Sequence, residues 1–400
     1  MDSVADERRG RKTVRTLCVS HFYNAHGGGI EAVAGHLARG MANRGIAMTW
    51  AATDLPGELP AGGSNLGTLP MQGWNGLEER TGLPFPVWNA RSLRRLRRAV
   101  DDADLVHVHD GLYLGSHWAT KYARSTRKPV LLTQHIGEIP FPGFARRTAM
   151  KIANRALTRR QIRRSDAIVF VSSSVEEFFR GVPSRARRAV IANGVDLSVF
   201  QPSVGSRNEL RRRLGIEVDR PAFLFVGRFV DKKGLPLLRR AAEAFPQVSW
   251  LFAGRGPIDP RRWGLANARV LGFLPESDIV AWYRACDLTV LPSIGEGFPL
   301  VVQESMACGT PCLVAEETRL ACPAVADLLL SAGVRGRDFE KACAEALSSP
   351  ERLRALGARA AQAAKEIWSW EICLDRYLEI YRDLSARPFI SDREERASQQ

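Results

Sequence analysis

The sequence has no uninterrupted apolar run that approaches the roughly 20 residues of a membrane-spanning helix. Its first residues, Met1 to Arg15, are polar and charged and lack the apolar core of a secretory signal peptide. These absences predict a chain that neither spans a bilayer nor is exported by a standard signal. A cytoplasmic protein is therefore expected.

The sequence also lacks the Cys-x-x-Cys motif. None of the seven cysteines forms a Cys-x-x-Cys pair, and most of them lie in apolar stretches such as Leu17 to Val19. This pattern favours reduced, buried thiols, as in a protein of a reducing compartment.

The composition is that of an ordinary globular protein, with 45% apolar and 25% charged residues. Its 400 residues are too many for one compact α/β unit and predict two domains. Lys and Arg outnumber Asp and Glu by 57 to 43, which gives a net charge of +14. Such a surface attracts phosphates and anionic membranes, although charge alone identifies no partner.

Short apolar or β-branched runs alternate with segments of helical periodicity, the pattern of parallel sheets covered by helices. In the first half the runs are 16–22, 47–53, 104–109, 129–135, 167–172 and 189–192; in the second half they are 222–229, 248–254, 269–273, 287–292 and 311–315. The polar stretch 201–220 separates the two series. We expect two doubly wound Rossmann-like domains facing each other across a cleft, with a ligand beyond the carboxyl ends of the strands.

The segment 291–309 has the richest set of candidate site residues. A strand ends near Pro292, a glycine-containing loop follows, and Pro299 suits the start of a helix. The first amides of that helix, of Leu300 and Val301, would face an anion, and Glu304 would lie about 7 to 8 Å further along. Glu296 stays in the loop. Taken singly, both glutamates are equally consistent with solvated surface charges.

A second cluster lies where the strand ending at Gly227 runs into a basic loop that includes Arg228, Lys233 and Gly234. Arg228 is able to grip a phosphate bidentately and Lys233 adds a point charge, which is the stabilisation that a leaving diphosphate requires.

Together these motifs resemble the retaining glycosyltransferase family 4, which has the GT-B fold. The resemblance covers nearly the whole chain and is most specific in the basic loop and in the pair Glu296 and Glu304, which have seven residues between them. It implies that Glu304 holds the ribose of a UDP- or GDP-sugar donor, that Glu296 contacts the sugar, and that Arg228 and Lys233 neutralise the diphosphate. Phe298, Leu300 and Val301 would complete the donor site.

In the N-terminal half, the family's glycine-rich turn over the donor phosphates matches Gly27, Gly28 and Gly29, and its histidine near the donor sugar matches His135. The resemblance implies domains at 1–200, for the acceptor, and 201–370, for the donor, with a helix from 371 that crosses back before a polar tail. It implies no cofactor, no metal and no nucleic-acid partner. The acceptor is unknown.

Two departures from the family and three rival functions stay open. Pro299 stands where the family commonly has glycine, and no glycine-rich turn is evident between Glu316 and Arg335. The rivals are a nucleotide-sugar 2-epimerase of the same architecture, an NAD-linked oxidoreductase built on the glycine turn, and an inactive scaffold. Asp102 and Asp104 form an Asp-x-Asp that merely precedes a strand, so we assign it no metal.

Two arginine-rich stretches contain no balancing acid. They include Arg91, Arg94, Arg95, Arg97 and Arg98, and, between Phe144 and Arg164, Arg146, Arg147, Lys151, Arg155, Arg159, Arg160, Arg163 and Arg164. They are either solvated helix faces or a docking surface for anionic lipid or a phosphorylated acceptor, in which case the protein would lie at the inner face of the membrane.

Overall fold

A computed structural model describes residues 14–26, 28–54, 59–60, 63–76, 85–137, 148, 152–203, 205–295 and 298–386. Of the site residues predicted above, Gly27 and Glu296 lie outside these ranges, as do Arg146, Arg147 and Lys151 of the basic stretch.

The first half of the chain forms a seven-stranded parallel sheet and a two-stranded ribbon. Its strands are β1 (Arg15–Phe22), β2 (Ala47–Thr53), β3 (Leu66–Met71), β4 (Gly73–Trp74), β5 (Val87–Trp88), β6 (Leu105–His109), β7 (Val130–Gln134), β8 (Ala167–Phe170) and β9 (Arg187–Val190). Its α-helices are α1 (Gly29–Asn43), α2 (Ala90–Asp102), α3 (Leu114–Ser125), α4 (Arg159–Arg164) and α5 (Ser173–Phe178).

The second half forms a six-stranded parallel sheet. Its strands are β10 (Ala222–Val226), β11 (Ser249–Ala253), β12 (Ala268–Gly272), β13 (Leu288–Leu291), β14 (Cys312–Ala315) and β15 (Leu330–Ala332). The α-helices are α6 (Arg207–Leu214), α7 (Leu235–Ala244), α8 (Glu276–Ala285), α9 (Leu300–Ala307), α10 (Glu316–Ala321), α11 (Asp338–Ser348), α12 (Pro350–Ile367) and α13 (Trp370–Ala386). The predicted fold class, two Rossmann-like parallel-sheet domains, is confirmed.

Both faces of the first sheet are covered, which explains its nearly continuous apolar strands. Along β1, Leu17 and Val19 pack into one core cluster, whereas Cys18 between them packs into the other. Successive side chains of a strand point to opposite faces, so a strand between two helical layers has to be apolar at every position.

Each sheet reverses its strand order at one central position. In the first sheet β1 lies between β2 and β6, and in the second β10 lies between β11 and β13. The connections from β1 and from β6 therefore leave toward opposite sides, as do those from β10 and β13, and a crevice opens between them at their carboxyl ends.

The last helix, α13, packs against the first sheet although it follows the second in sequence. Leu374, Tyr377 and Tyr381 are buried in a core cluster that they share with Val33 and Trp50. The chain crosses between the sheets at two adjacent points, where the amide of Val195 donates to the carbonyl oxygen of Trp368 at 2.7 Å. The domain boundaries at 200 and 370 stay a prediction.

Helix α1 of the first half also contacts the second half. The ring of His36 stacks on Trp370, with centroids 4.8 Å apart, and its Nε2 lies 3.7 Å from Oε1 of Glu276 at the start of α8. A membrane-crossing helix, which would have to be both longer and more apolar, is not found in the described ranges.

Candidate active site

The basic loop after β10 and the loop after β13 are in direct contact. The amide of Ile294 donates to the carbonyl oxygen of Lys232 at 2.9 Å. Gly234 has φ of +79°, and a Cβ on it would lie 2.5 Å from the carbonyl oxygen of Pro292. Glycine is required here both for the left-handed backbone and for this close approach, so the two predicted donor motifs form one surface.

The cationic side chains lie at the edge of this surface. Arg228 is exposed, and no hydrogen bond or ion pair joins its guanidinium to any residue in the described ranges. The half-buried Lys233 runs beside Gly227, whose Cβ, if present, would lie 3.8 Å from Cδ of the lysine. Arg228, at the carboxyl end of β10 and without an acidic partner among the described residues, is suited to an anionic ligand.

Helix α9 follows the loop that contacts this basic loop. Pro299 is its N-cap with φ of −69°, and Leu300 and Val301 are the first helical residues. Their amides have no acceptor one turn earlier in the helix, so they are available to an anion. Phe298, by contrast, is buried with its ring against Trp368, and a donor contact from Phe298 would have to use its backbone.

Glu304 lies on α9, one turn beyond these amides, and is half-buried. The hydroxyl of Tyr283 on α8 donates to its Oε2 at 2.9 Å. Burial raises the pKa of the Glu304 carboxyl to about 7, although the hydrogen bond from Tyr283 acts in the opposite direction. The sequence did not indicate Tyr283, because it lies on a different helix and in no recognisable motif.

The glycine turn of the first half is packed on a buried carboxylate. Oε1 of Glu31 lies 3.0 Å from Nε2 of His21 and 2.8 Å from Nδ1 of His26. Burial by itself would raise the pKa of Glu31, but the charges and hydrogen bonds of His21 and His26 outweigh it and hold the pKa well below its usual range. A Cβ on Gly28 would lie 2.2 Å from Oε2 of Glu31, whereas one on Gly29 would meet nothing within 4 Å.

His135 lies at the floor of the same region, directly after β7, and is 6% exposed. Its Nε2 is 3.1 Å from Nδ1 of His109, and both rings are buried. Burial, reinforced by the charge of His21, lowers the pKa of His135 to about 3. His135 is therefore neutral at physiological pH. His107, on β6, is hydrogen-bonded to the hydroxyls of Tyr381 on α13 and Thr133 on β7.

Comparison with known proteins identifies the family. Residues 27–199 match the profile of Glycosyltransferase Family 4, and residues 206–363 match that of Glycosyl transferases group 1. The chain belongs to glycosyltransferase family 4. It is a glycosyltransferase with the GT-B fold.

Curated relatives of this family 4 transferase are 30% to 32% identical to it over the segments that align. A D-inositol 3-phosphate glycosyltransferase of Thermobispora bispora is 32% identical over 233 residues, which are 53% of this chain and 53% of the relative, so the similarity spans about half its length. D-inositol 3-phosphate glycosyltransferase 1 of Catenulispora acidiphila is 30% identical over 321 residues, 71% of this chain and 73% of the relative.

The transferase is also similar to a solved structure, that of Anabaena HepE in complex with UDP-glucose. The TM-score is 0.69 at 18% identity, over 92% of this chain and 99% of the other. At this level of identity the likeness shows the shared fold.

The Asp-x-Asp of this transferase lies far from the loops described above. Asp104 accepts hydrogen bonds from the backbone and side chain of Arg15, and it directly precedes β6. It therefore lies at the amino ends of the strands, whereas the glycine turn and His135 lie at the carboxyl ends. The described part of the chain contains no group of three or more metal-ligating side chains.

Asp110 is a further residue that the sequence did not reveal. It follows β6 with φ of +65°, which is uncommon for a residue with a Cβ. Its buried carboxylate accepts hydrogen bonds from the amide of Leu112 and from Gln134. These bonds fix the loop in which Tyr113 stacks on His21 with ring centroids 3.8 Å apart. Asp110 thereby holds Tyr113 against His21, which in turn contacts Glu31 beneath the glycine turn.

The segment from Glu316 to Arg335, which departs from the family pattern in sequence, also has a distinct structure. Where the family commonly has a glycine-rich turn, helix α10 follows β14 directly. Glu317 in its first turn accepts a hydrogen bond from the amide of Gly295 at 2.7 Å, and so anchors the loop that leads to Glu296. Helix α10 also contacts α5 of the first half.

Proposed function

We propose that this glycosyltransferase moves a sugar, with retention of the anomeric configuration, from a nucleoside diphosphate sugar to an acceptor hydroxyl. The observation that carries the proposal is the surface formed by the loops after β10 and β13. There Arg228 is exposed, with no acidic partner among the described residues, and its loop contacts the loop that leads into α9, the helix that carries the half-buried Glu304. The cationic loop and the first amides of α9 suit a diphosphate, and Glu304, one turn further along α9, suits the adjoining ribose.

The residues of this surface take separate roles in the proposed reaction. Arg228, Lys233 and the first amides of α9 stabilise the negative charge that collects on the leaving diphosphate. Glu304 accepts hydrogen bonds from the ribose hydroxyls, and Glu296 orients the sugar. His135 is neutral, so it is able to form one hydrogen bond with a sugar hydroxyl, as donor or as acceptor, without adding charge.

Retention follows if the acceptor arrives on the face that the diphosphate leaves. The bond between C1 of the sugar and the diphosphate oxygen breaks, with its electron pair going to that oxygen. The acceptor oxygen forms the new bond to C1, and its proton passes to the departing phosphate. No protein nucleophile is required. The UDP-glucose complex of the similar Anabaena protein supports a nucleoside diphosphate donor, for which UDP and GDP are the candidates.

For the acceptor we propose a small phosphorylated polyol. The relatives are named for D-inositol 3-phosphate, and the net charge of +14 favours an anionic acceptor. We also propose that the arginine-rich stretches of the first half contact an anionic membrane on the acceptor side. Ile152, in the same segment as Arg155, Arg160 and Arg163, is 62% exposed, which favours a surface that meets lipid.

The test is release of nucleotide from a panel of UDP- and GDP-sugars with inositol 3-phosphate, with inositol, or with no acceptor. We expect release that depends on the phosphorylated acceptor, and an NMR coupling constant that shows the donor's anomeric configuration in the product. Release of nucleotide when no acceptor is present, together with a changed sugar configuration at C2, would instead identify the epimerase. A change in NADH absorbance would identify the oxidoreductase.

A matched pair of variants links the activity to the proposed surface. Arg228→Ala is expected to reduce kcat by about a hundredfold, because one charged hydrogen bond to the leaving group is lost in the transition state. Arg255→Ala removes another exposed arginine, on the neighbouring loop after β11, whose guanidinium lies over the ring of Phe273 at 5.3 Å. That variant is expected to keep kcat, and equal losses in both would count against the assignment.

A further inference from the structure

Tyr283 and Glu304 form a contact between two helices that no motif contains. Tyr283 is fully buried, and its own position is fixed. The hydroxyl of Thr310 donates to its carbonyl oxygen at 2.6 Å, and its ring meets that of Phe200 edge-on at 6.1 Å. The phenol therefore has little freedom to move when Glu304 changes its conformation or its partners.

The hydrogen bond from Tyr283 uses only one of the two carboxylate oxygens. Oε2 of Glu304 accepts it at 2.9 Å, and within the described ranges no second donor side chain contacts this glutamate. We infer that Tyr283 is a positioning residue, which holds Oε2 so that Oε1 of Glu304 is presented to the ribose of the donor. The inference rests on the proposed function, in which Glu304 binds that ribose.

The same contact controls the charge of Glu304. Burial raises the pKa of Glu304 to about 7, the hydrogen bond from Tyr283 lowers it, and the charge of Glu276 at the start of α8 raises it. Two other ionisable groups face this carboxyl, Tyr283 and Cys308. Burial raises the pKa of the Tyr283 hydroxyl well above its usual value and that of the Cys308 thiol to about 12, so both stay protonated.

The consequence of losing the hydroxyl follows from these signs. Without the hydrogen bond the carboxyl would ionise at a higher pH, and near neutrality more of it would be protonated. A protonated carboxyl has lost part of its capacity to accept two ribose hydroxyls. Tyr283 thus keeps Glu304 oriented and favours its ionised form.

The experiment measures the affinity of the full chain for UDP and for GDP by calorimetry between pH 6 and pH 9. Whichever of the two nucleotides the wild type binds, we expect its affinity to increase as the pH rises through about 7. Tyr283→Phe is expected to weaken binding roughly tenfold at pH 7 and to move the midpoint of the pH profile upward, because a hydrogen bond to a charged group is lost. The loss should shrink toward pH 9.

Tyr377→Phe is the matched control. It removes a buried tyrosine hydroxyl that bonds to Thr133 at 3.0 Å, in the contact between α13 and the first sheet. It should leave the affinity and its pH midpoint unchanged. In Glu304→Gln, which does not titrate, the pH dependence should disappear, and adding Tyr283→Phe should restore no pH dependence and change the affinity little further.

A ring-fluorinated tyrosine at position 283 tests the inference without removing any group and serves if Tyr283→Phe fails to fold. Its hydroxyl is a stronger donor, so the midpoint should move downward. An unmoved midpoint in either substituted protein, with Glu304→Ala still weakening the nucleotide, would overturn the role of Tyr283 alone. If Glu304→Ala binds UDP and GDP as the wild type does, the ribose assignment and the proposed function fail together.

Discussion

His21 and Glu31 form a buried pair in which Nε2 of the histidine lies 3.0 Å from Oε1 of the carboxylate. His26 approaches the same oxygen at 2.8 Å from the other side. The pair joins the carboxyl end of β1 to the first turn of α1 and so determines the path of the glycine turn between them.

Removing the Glu31 charge is expected to destabilise the fold. Glu31→Gln leaves the buried His21 and the half-buried His26 without this carboxylate, and we expect the free energy of unfolding at pH 7 to fall by about 3 kcal/mol, measured by urea denaturation. Glu243→Gln, which breaks an exposed pair with Arg239, should cost less than about 0.5 kcal/mol. A loss no larger at Glu31 than at Glu243 would contradict the structural role assigned to the pair.

The two glycines of the turn differ in a way that separates folding from donor binding. Gly28→Ala places a Cβ against the Glu31 carboxylate and is expected to lower the thermal midpoint. Gly29→Ala has open space, so its stability should be unchanged, while its KM for the donor should rise if the turn closes over the phosphates. Unchanged kinetics in a stable Gly29→Ala protein would remove this glycine from the donor site.

Buried neutral histidines make the protein sensitive to acid. The pKa of His135 is lowered from 6.5 to about 3, so between these values the unfolded chain binds more protons and stability is lost as the pH falls. His135→Asn should lose less free energy of unfolding between pH 7 and pH 5 than the wild type, by about 2 kcal/mol. Comparing the two pH values within each protein removes any constant packing effect, and equal losses would count against this assignment.

Transfer should not require a divalent metal. In the proposed mechanism Arg228 and Lys233 supply the positive charge that a metal would otherwise bring to the diphosphate, and Asp104 is engaged by Arg15 at the amino end of β6. We expect activity to survive EDTA and to be unaffected by Asp102→Asn. Loss of activity in EDTA with recovery on addition of manganese would contradict this mechanism.

The membrane contact is tested by charge removal at exposed positions. Arg155→Gln, Arg160→Gln and Arg163→Gln together should reduce sedimentation with phosphatidylserine vesicles at low salt, at about 1 kcal/mol for each charge. The control removes three exposed arginines from the second half: Arg212, Arg213 and Arg352. Equal binding by the two triple variants would mean that the segment from Arg155 to Arg164 is only a solvated face.

Several features were predictable because they depend on local sequence. The alternation of apolar strands with amphipathic helices predicted both sheets, and it placed Arg228 and the start of α9 at their carboxyl ends. The edge strand β3 was missed, because Gly67 and Pro70 are unfavourable in a strand interior and are tolerated at an edge. Phe298 was expected in the donor site from its position in the motif, yet its side chain is buried.

The sequence by itself determined the fold class, the family and the order of the cationic loop and α9, since these follow from periodicity and from motifs of neighbouring residues. Only the tertiary structure decided which side chains meet across the chain. Tyr283 reaches Glu304 across 21 positions and Tyr381 reaches His107 across 274. Such contacts depend on how helices pack on the sheets, and packing brings together residues whose spacing in sequence carries no periodic signal.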